Sequence, residues 1–405
     1  LDARSLGGNT LGSLFVDRSG ILWIGTVGNG LSKLDPRQQG FALIQHNPGD
    51  ANSLSSNDVR AIIEDRSGDL WIGTFGGLNR YDPETGRYTR YVHDPADPTS
   101  LGDDRMHAIA EDSTGALWIG TDANGLNRFD PDTETFFRIE SDPADPEGLS
   151  DNVVLRLYAD REGTLWIGTF TQGLDAYDPR SQDGQPRFTH YRHDPEDPHS
   201  LGQGFVASII EDQAGVLWVG TSAGGACRLE QDTEGQRTPG TFVCYKHDPK
   251  DADSLSDNTV WSILEDPEGA LWMGTSGGLN RLDPQTGKFV HYTTADGLPH
   301  DSVFGLLEDE DGHLWLSTGR GLSQFDPQKI SFQNYRASDG LQGDVFNMLA
   351  YYKASTGQLF FGGANGLTSF YPDDIRENPY IPPVHITGIG LANQPIAVGS
   401  DSPLQ

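Results

Sequence analysis

The stretch Glu64-Asp-Arg-Ser-Gly-Asp-Leu-Trp-Ile-Gly-Thr-Phe-Gly-Gly-Leu-Asn-Arg-Tyr-Asp-Pro83 decides the reading of this 405-residue chain. It opens on an acidic pair that ends a short apolar run, then turns through Gly68. A second apolar run, Leu70-Trp-Ile, closes on Gly73-Thr74, and a third stops at Asp82-Pro83 after a glycine-rich turn. Alternating apolar residues bounded by such turn chemistry read as short strands. Working outward, Val59–Asp65 is expected as strand A, Leu70–Thr74 as B, Gly77–Asp82 as C and Arg87–Tyr91 as D. The A–B turn is Asp-x-x-Gly and the C–D turn is Asp-Pro-Glu-Thr-Gly86. In both, glycine supplies the positive φ that closes a tight turn at little steric cost.

The chain repeats this unit. Its tryptophan recurs at Trp23, Trp71, Trp118, Trp166, Trp218, Trp272 and Trp315, and an eighth copy carries Phe360 instead. The spacings are 48, 47, 48, 52, 54, 43 and 45 residues. A period in the forties with several short strands per unit is the signature of a propeller blade. Helical repeats of similar length would place apolar residues at i, i+3, i+4 and i+7 over long windows, and none does so here. The expected fold is therefore all-β, a β-propeller of four-stranded blades built on eight motif copies. Counting gives eight blades, or seven if copy 1 belongs to a preceding propeller. Copy 1 contains all four strand segments, which favours eight.

The 50 glycines and 24 prolines fall on turns at a fixed period, so they punctuate strands and do not mark disorder. A formal net charge of −31 argues against nucleic acid or an anionic membrane surface as partner, since both require a basic face. Its plain reading is solubility of a large β surface. No run of 18 apolar residues is present to span a membrane. Leu1-Asp-Ala-Arg-Ser opens almost directly into a strand and reads as part of something longer. Cys227 on strand C and Cys244 on strand D of one copy are placed to face each other across a hairpin. They pair as a disulfide, favouring an oxidising compartment, or remain two thiols that share a blade.

Links after copies 2, 4 and 5 carry His-Asp-Pro-x-Asp-x-x-Ser-Leu, as at His93–Leu101, and the first link has His46-Asn-Pro. A periodic histidine beside Asp-Pro is expected to pin a loop and not to bind metal. Copy 8 departs from the pattern: Tyr351-Tyr352 replaces the acidic pair, and no usual strand D follows Tyr371. Prolines at 379, 382 and 383 then read as a linker into a new strand, Val384–Leu391. The expected division is a propeller over 1–376, followed over 377–405 by a linker and the first strand of a truncated β-sandwich.

The recurring Val-x-x-Ile-x-Glu-Asp-x-x-Gly-x-Leu-Trp-Ile-Gly-Thr-x-x-Gly-Leu-Asn-Arg-Tyr-Asp-Pro resembles the two-component regulator propeller repeat. That repeat builds the extracytoplasmic sensor region of bacterial hybrid histidine kinases and related proteins. The resemblance covers residues 9 to 376, and Asn378-Pro-Tyr-Ile-Pro-Pro-Val-His-Ile-Thr-Gly388 looks like the start of the following sandwich, of the Y_Y_Y type. It implies a periplasmic or extracytoplasmic portion of an inner-membrane signalling protein, with an output module such as a histidine kinase elsewhere. It further implies an oligosaccharide or other small-molecule ligand, and a homodimer of the full-length protein. Propellers of that family are usually seven-bladed, whereas eight copies stand here.

In an up-and-down blade the D–A and B–C connections share one face. These are the loops that vary, and variable loops on a rigid scaffold are where recognition concentrates. The residue after the first apolar position of strand A varies too, through Arg60, His107, Leu155, Ala207, Trp261, Phe304 and Phe346. The candidate ligand-binding residues are Arg60, Phe75, His107, Asp122, Phe170, Gln172, Trp261, Phe304, Arg320 and Asn365. Aromatic faces with polar groups around a concave mouth suit a sugar. Any one of them alone is as well explained by packing between blades, and the case rests on the set. Trp71 and its equivalents recur as core does. The Glu-Asp pairs sit at repeated turns and form no acid/base dyad, and Asp309-Glu-Asp-Gly312 is a turn that lacks the calcium-loop pattern. Neither a P-loop, a Gly-x-Ser-x-Gly nor zinc spacing occurs, so no cofactor, metal or catalytic residue is expected. Two other readings stay open: a lyase-type propeller enzyme, resting on His107 and His300, and a scaffold for protein–protein contacts.

Overall fold

The computed structural model describes residues 6, 10–18, 20–34, 40–180, 186–231, 237–283, 285–375, 389–391 and 394–396. The chain divides into two compact units, Gly40–Asp374 and the two flanking segments taken together. Within Gly40–Asp374 the strands form seven four-stranded antiparallel sheets. Their innermost strands A are Val59–Glu64, Met106–Glu111, Val154–Ala159, Val206–Glu211, Val260–Glu265, Val303–Glu308 and Phe346–Lys353. These sheets are called blades 1 to 7 below, so blade 1 is motif copy 2. In blades 1 to 6 strands follow one another outward in chain order. That is the all-β propeller of four-stranded blades expected from the repeat.

Eight motif copies do not become eight blades. Copy 1 contributes Leu11–Val16, Leu22–Thr26 and Gly30–Leu34 to a separate three-stranded sheet in the flanking unit. Its fourth segment, Ala42–Ile44, instead pairs with Gly366–Phe370 and becomes the outermost strand of blade 7. The physical reason is the gap in copy 8, where no described residue after Phe370 supplies a strand D and the edge of Gly366–Phe370 would otherwise stand exposed. The propeller unit accordingly runs over 40–374 and not 1–376. The residues from 376 to 388 lie outside those described. Beyond them Ile389–Leu391 pairs with Gln394–Ile396.

The repeated letters each have a packing task. A Cβ added at Gly73 of the Trp-Ile-Gly-Thr run would meet Met106 Cβ of blade 2 at 2.8 Å. Equivalent clashes at Gly120, Gly168, Gly220 and Gly274 fall on Val154, Val206, Val260 and Val303 of the next blade. Gly362 meets Val59 at 2.7 Å, which carries the same contact from blade 7 back to blade 1. The glycine therefore sets the distance between blades. In the links, Leu54, Leu101, Leu149, Leu201, Leu255, Leu298 and Leu341 are all buried, which accounts for the constant leucine. His46, His93, His193 and His247 each place Nδ1 at 2.5–3.0 Å from the carbonyl of that leucine, so the periodic histidines do pin loops. Cys227 and Cys244 face each other across strands C and D of blade 4 and are joined as a disulfide.

Two departures from the repeat alter its energetics. The strand-C arginine normally covers the buried tryptophan, as Arg80 does over Trp71 and Arg281 over Trp272. Blade 3 has Ala176 opposite Trp166, and the cover comes from Arg237 of blade 4, 5.5 Å above that ring. Arg237 also binds the fully buried Asp160 carboxylate and Glu211. The second departure concerns the glutamate that ends strand A. At four junctions this residue accepts a backbone N–H from the preceding blade: Glu111 from Arg66, Glu211 from Arg161, Glu265 from Gln213 and Glu64 from Ser355. Between blades 5 and 6 the donor position is Pro267, which has no N–H. Burial then pushes the Glu308 carboxyl up to about 7, helped by the charges of Asp266 and Glu268 and opposed by Lys353. A cavity of about 660 Å³ lies there, bordered by these residues.

Two outcomes follow from these departures. In urea unfolding, Arg237→Met is expected to cost about 3 kcal/mol, since it leaves buried carboxylates unpaired. Arg80→Met, whose side chain is 38% exposed against 13% for Arg237, is expected to cost roughly 1 kcal/mol or less. Equal losses would refute the difference in burial. For Glu308, a carboxyl with its folded pKa raised stabilises the fold while protonated, and that contribution is lost as pH rises through about 7. Glu308→Gln should therefore gain stability relative to the parent as pH rises from about 4.5 to about 7, and keep that gain above it. A difference between the two that does not vary with pH would remove the assignment.

Candidate functional site

The second residue of strand A is skipped by the sheet ladder in blades 1 to 6. Val59 pairs with Thr74 and Ala61 with Gly73, so Arg60 has no partner across the strand. The same β-bulge falls at His107, Leu155, Ala207, Trp261 and Phe304. A bulge breaks pairing and re-aims its side chain. Here it does so on the face where the D–A and B–C connections lie. In blade 7 the four residues between Phe346 and Tyr351 oppose the single Gly362, whereas the other blades set two against one. Asn347, Met348 and Leu349 stand in this enlarged bulge. Phe346, expected among the variable residues, is instead the buried counterpart of Val59 and only 2% exposed.

These bulges rim a cavity of about 390 Å³. Its polar side is formed by Arg60, His107, Asp122 and Asn347. Arg60 pairs with both Asp58 oxygens at 2.8 and 3.0 Å and lies 4.2 Å over the Phe75 ring. Asn347 donates to Asp58 Oδ1 and to the Val59 carbonyl. His107 places Nε2 2.9 Å from Asp122 Oδ1, while Asp122 also pairs with Arg105. Burial holds the His107 pKa below its usual value, with Arg60 and Arg105 adding to the effect and Asp122 opposing it. The ring is then neutral at neutral pH and donates from Nε2 to the carboxylate. Its Nδ1 is left as an acceptor.

The remaining wall is apolar: Val153, Leu155, Phe170, Phe205, Trp261, Met348 and Leu349. Phe170 stacks on Phe205 at 5.7 Å, Phe205 lies 6.1 Å from Trp261, and Trp261 meets Phe304 edge-on at 6.0 Å. The Trp261 indole N–H donates to Ser276 Oγ at 3.0 Å, so the polar edge of the ring is already satisfied. Below the cavity Arg156 crosses the central channel. Its guanidinium donates to the Ala207 and Leu349 carbonyls and to the Tyr351 hydroxyl. Tyr351 in turn leans over Gly305, where a Cβ would fall 2.4 Å from its ring. The floor is thus tied to the enlarged bulge of blade 7.

Of the residues expected at the site, Arg60, His107, Asp122, Phe170 and Trp261 line this one cavity. Phe75 and Phe304 stand behind it, one against Arg60 and His107 and the other against Trp261. Gln172, Arg320 and Asn365 are not in its lining. Val153, Phe205 and the Asn347–Leu349 bulge were missed, and Leu155 was seen to vary without being chosen. Phe205 lies just before strand A, and only three-dimensional stacking brings it in. His300 accepts a backbone N–H from Ser302 and is likewise outside the cavity. Among the described residues no three His, Cys, Asp or Glu side chains gather to hold a metal. No helix there is long and apolar enough to cross a membrane.

The family described as Two component regulator propeller matches residues 53–76, 100–123, 148–171, 200–223, 254–277 and 297–320. Each matched stretch runs from the end of a link through strands A and B of blades 1 to 6. No match to a curated protein is found. Among solved structures, the extracellular domain of a hybrid two-component system from B. thetaiotaomicron is 25% identical, with a TM-score of 0.73 over 98% of this chain. This chain spans about half the length of that structure, 51%. Virginiamycin B lyase from Staphylococcus aureus is 14% identical with a TM-score of 0.56, covering 82% of this chain and 98% of the lyase, a likeness of fold alone. The six matched stretches identify the repeat of this chain as the two-component regulator propeller repeat.

Proposed function

We propose that Gly40–Asp374 is a ligand-sensing propeller of a two-component signalling protein, and that its ligand is a small ring-shaped molecule held in the bulge-rimmed cavity. The observation that carries this reading is the convergence of skipped strand-A residues from blades 1, 2, 3, 5 and 7 on one pocket. Five separate strands break their ladder at the same level, and an apolar wall faces a polar one across the space. At about 390 Å³ the pocket lies low in the range of roughly 300–1,000 Å³ usual for small-molecule sites. A saccharide of one or two units fits that volume better than a longer chain. The likeness to the extracellular domain of a hybrid two-component system supports a place outside the cytoplasm, and the disulfide agrees with it. A periplasmic setting beneath an inner-membrane anchor, a histidine kinase output and a homodimer of the full-length protein belong to the same proposal. The fragment itself acts by binding and not by catalysis.

An enzymatic reading has less support. His107 is the one expected histidine in the cavity, and its Nε2 is engaged by Asp122. Thermal-shift screening of the chain against small saccharides and other ring compounds tests the site. Trp261→Ala and Arg60→Ala are each expected to weaken the binding of a hit at least tenfold, or about 1.4 kcal/mol, with little change in the unliganded melting temperature. Normal binding by both variants would place the ligand elsewhere.

A further inference from the structure

We infer that the cavity selects an uncharged aromatic ring bearing a hydroxyl donor, a phenol-type group, in preference to a fully hydroxylated sugar; this inference rests on the sensor reading above. Three observations carry it. The first is the composition of the wall. Phe170, Phe205 and Trp261 form one continuous aromatic run, at 5.7 and 6.1 Å between neighbouring rings. An aromatic guest gains from offset or edge contacts with every member of such a run, about 0.5–1.5 kcal/mol per pair beyond the area it buries. A pyranose has one apolar face and a rim of hydroxyls, and the rim would be pressed against the rest of this wall. A buried hydroxyl without a partner costs about 1–3 kcal/mol. The indole N–H that often serves such a hydroxyl is already given to Ser276.

The second observation is charge. Each ionised group at the polar edge is already matched: Arg60 by Asp58, and Asp122 by Arg105 and His107. A ligand that brought its own charge would have to break one of these pairs or stay unpaired in a mostly apolar pocket. A neutral guest faces neither cost.

The third is the direction of the hydrogen bonds still on offer. With Nε2 of His107 committed to Asp122 and its ring neutral, Nδ1 is an acceptor. The Asn347 amide nitrogen is committed to Asp58 and Val59, which leaves its carbonyl oxygen as a second acceptor. Two acceptors on one edge call for a guest that donates there. A phenolic O–H meets that requirement, with its ring against the aromatic run and its hydroxyl toward His107 or Asn347.

Calorimetric titration of the chain with naphthol, naphthalene, naphthoate and cellobiose tests this, with Trp261→Ala, Phe205→Ala and His107→Phe run beside it. All variants are first checked for an unchanged melting curve, and Trp261→Phe replaces Trp261→Ala if that variant does not fold. Naphthol is expected to bind at least tenfold more tightly than naphthoate or cellobiose. Phe205→Ala and Trp261→Ala should each lower its affinity about tenfold, and His107→Phe should remove the preference for naphthol over naphthalene. If cellobiose binds in a Trp261-dependent way and naphthol does not, the ring class is wrong and the cavity remains the site. Failure of naphthol to bind at all also overturns the class. If naphthol binds the Trp261 and Phe205 variants as it binds the parent, the cavity is not its site and both readings fall.

Discussion

In each of the seven tryptophan copies the indole Nε1–H donates to an aspartate six positions earlier, at 2.7–2.9 Å, from Trp23 and Asp17 to Trp315 and Asp309. The other oxygen of the same carboxylate takes backbone N–H groups of the turn, as Asp65 does from Ser67 and Asp69. One side chain thereby fixes the A–B turn, strand B and the ring that fills the gap between blades. Burial alone would raise the pKa of Asp65 and Asp112, but the hydroxyl, indole and backbone donors around them more than offset it and hold both carboxylates ionised. Copy 8 shows the same logic by omission. Phe360 replaces the tryptophan and Ala354 the aspartate, so donor and acceptor vanish together and no buried group is left unmet.

Upon this fastening rests a ring in which backbone approaches neighbour closely. In six of the seven blades the glycine of strand B admits the first side chain of the next strand A, blade 6 having Ser317 there, and the contact from Gly362 to Val59 brings the series round to its start. Because the scaffold is rigid by repetition, it can tolerate irregularity where strand A begins. The bulges are such irregularities. They cost ladder hydrogen bonds, and in exchange they turn side chains out of the pleat into a shared space.

The blade was fully legible in one copy, because alternation, turn glycines and the tryptophan period are local properties of the chain. What the repeat could not report was where its phase would be cut. Copy 1 contains four strand segments, and only the missing strand D after Tyr371 hinted that Ala42–Ile44 would be needed elsewhere. The site was half legible for the same reason. Variation after the first strand-A residue flagged Arg60, His107 and Trp261, since a skipped position is free to change. Phe205 and Met348 enter through stacking and through an insertion whose register no spacing reveals. Arg237 is subtler still: only the alanine at position 176 marked Trp166 as uncovered, and the residue that covers it arrives from another blade.

The borrowed strand has a mechanical meaning. Since Gly40 and Asp374 both bound the blade that Ala42–Ile44 completes, the chain comes into the ring and leaves it through the same blade. A pull on the Gly40 flank is borne first by the three register pairs that Ile44, Leu43 and Ala42 make with Leu367, Thr368 and Ser369. Peeling that short strand would open the ring at one seam while six blades kept all four of their strands. The last blade is therefore the latch of the circle, and it is also the blade whose enlarged bulge reaches into the cavity.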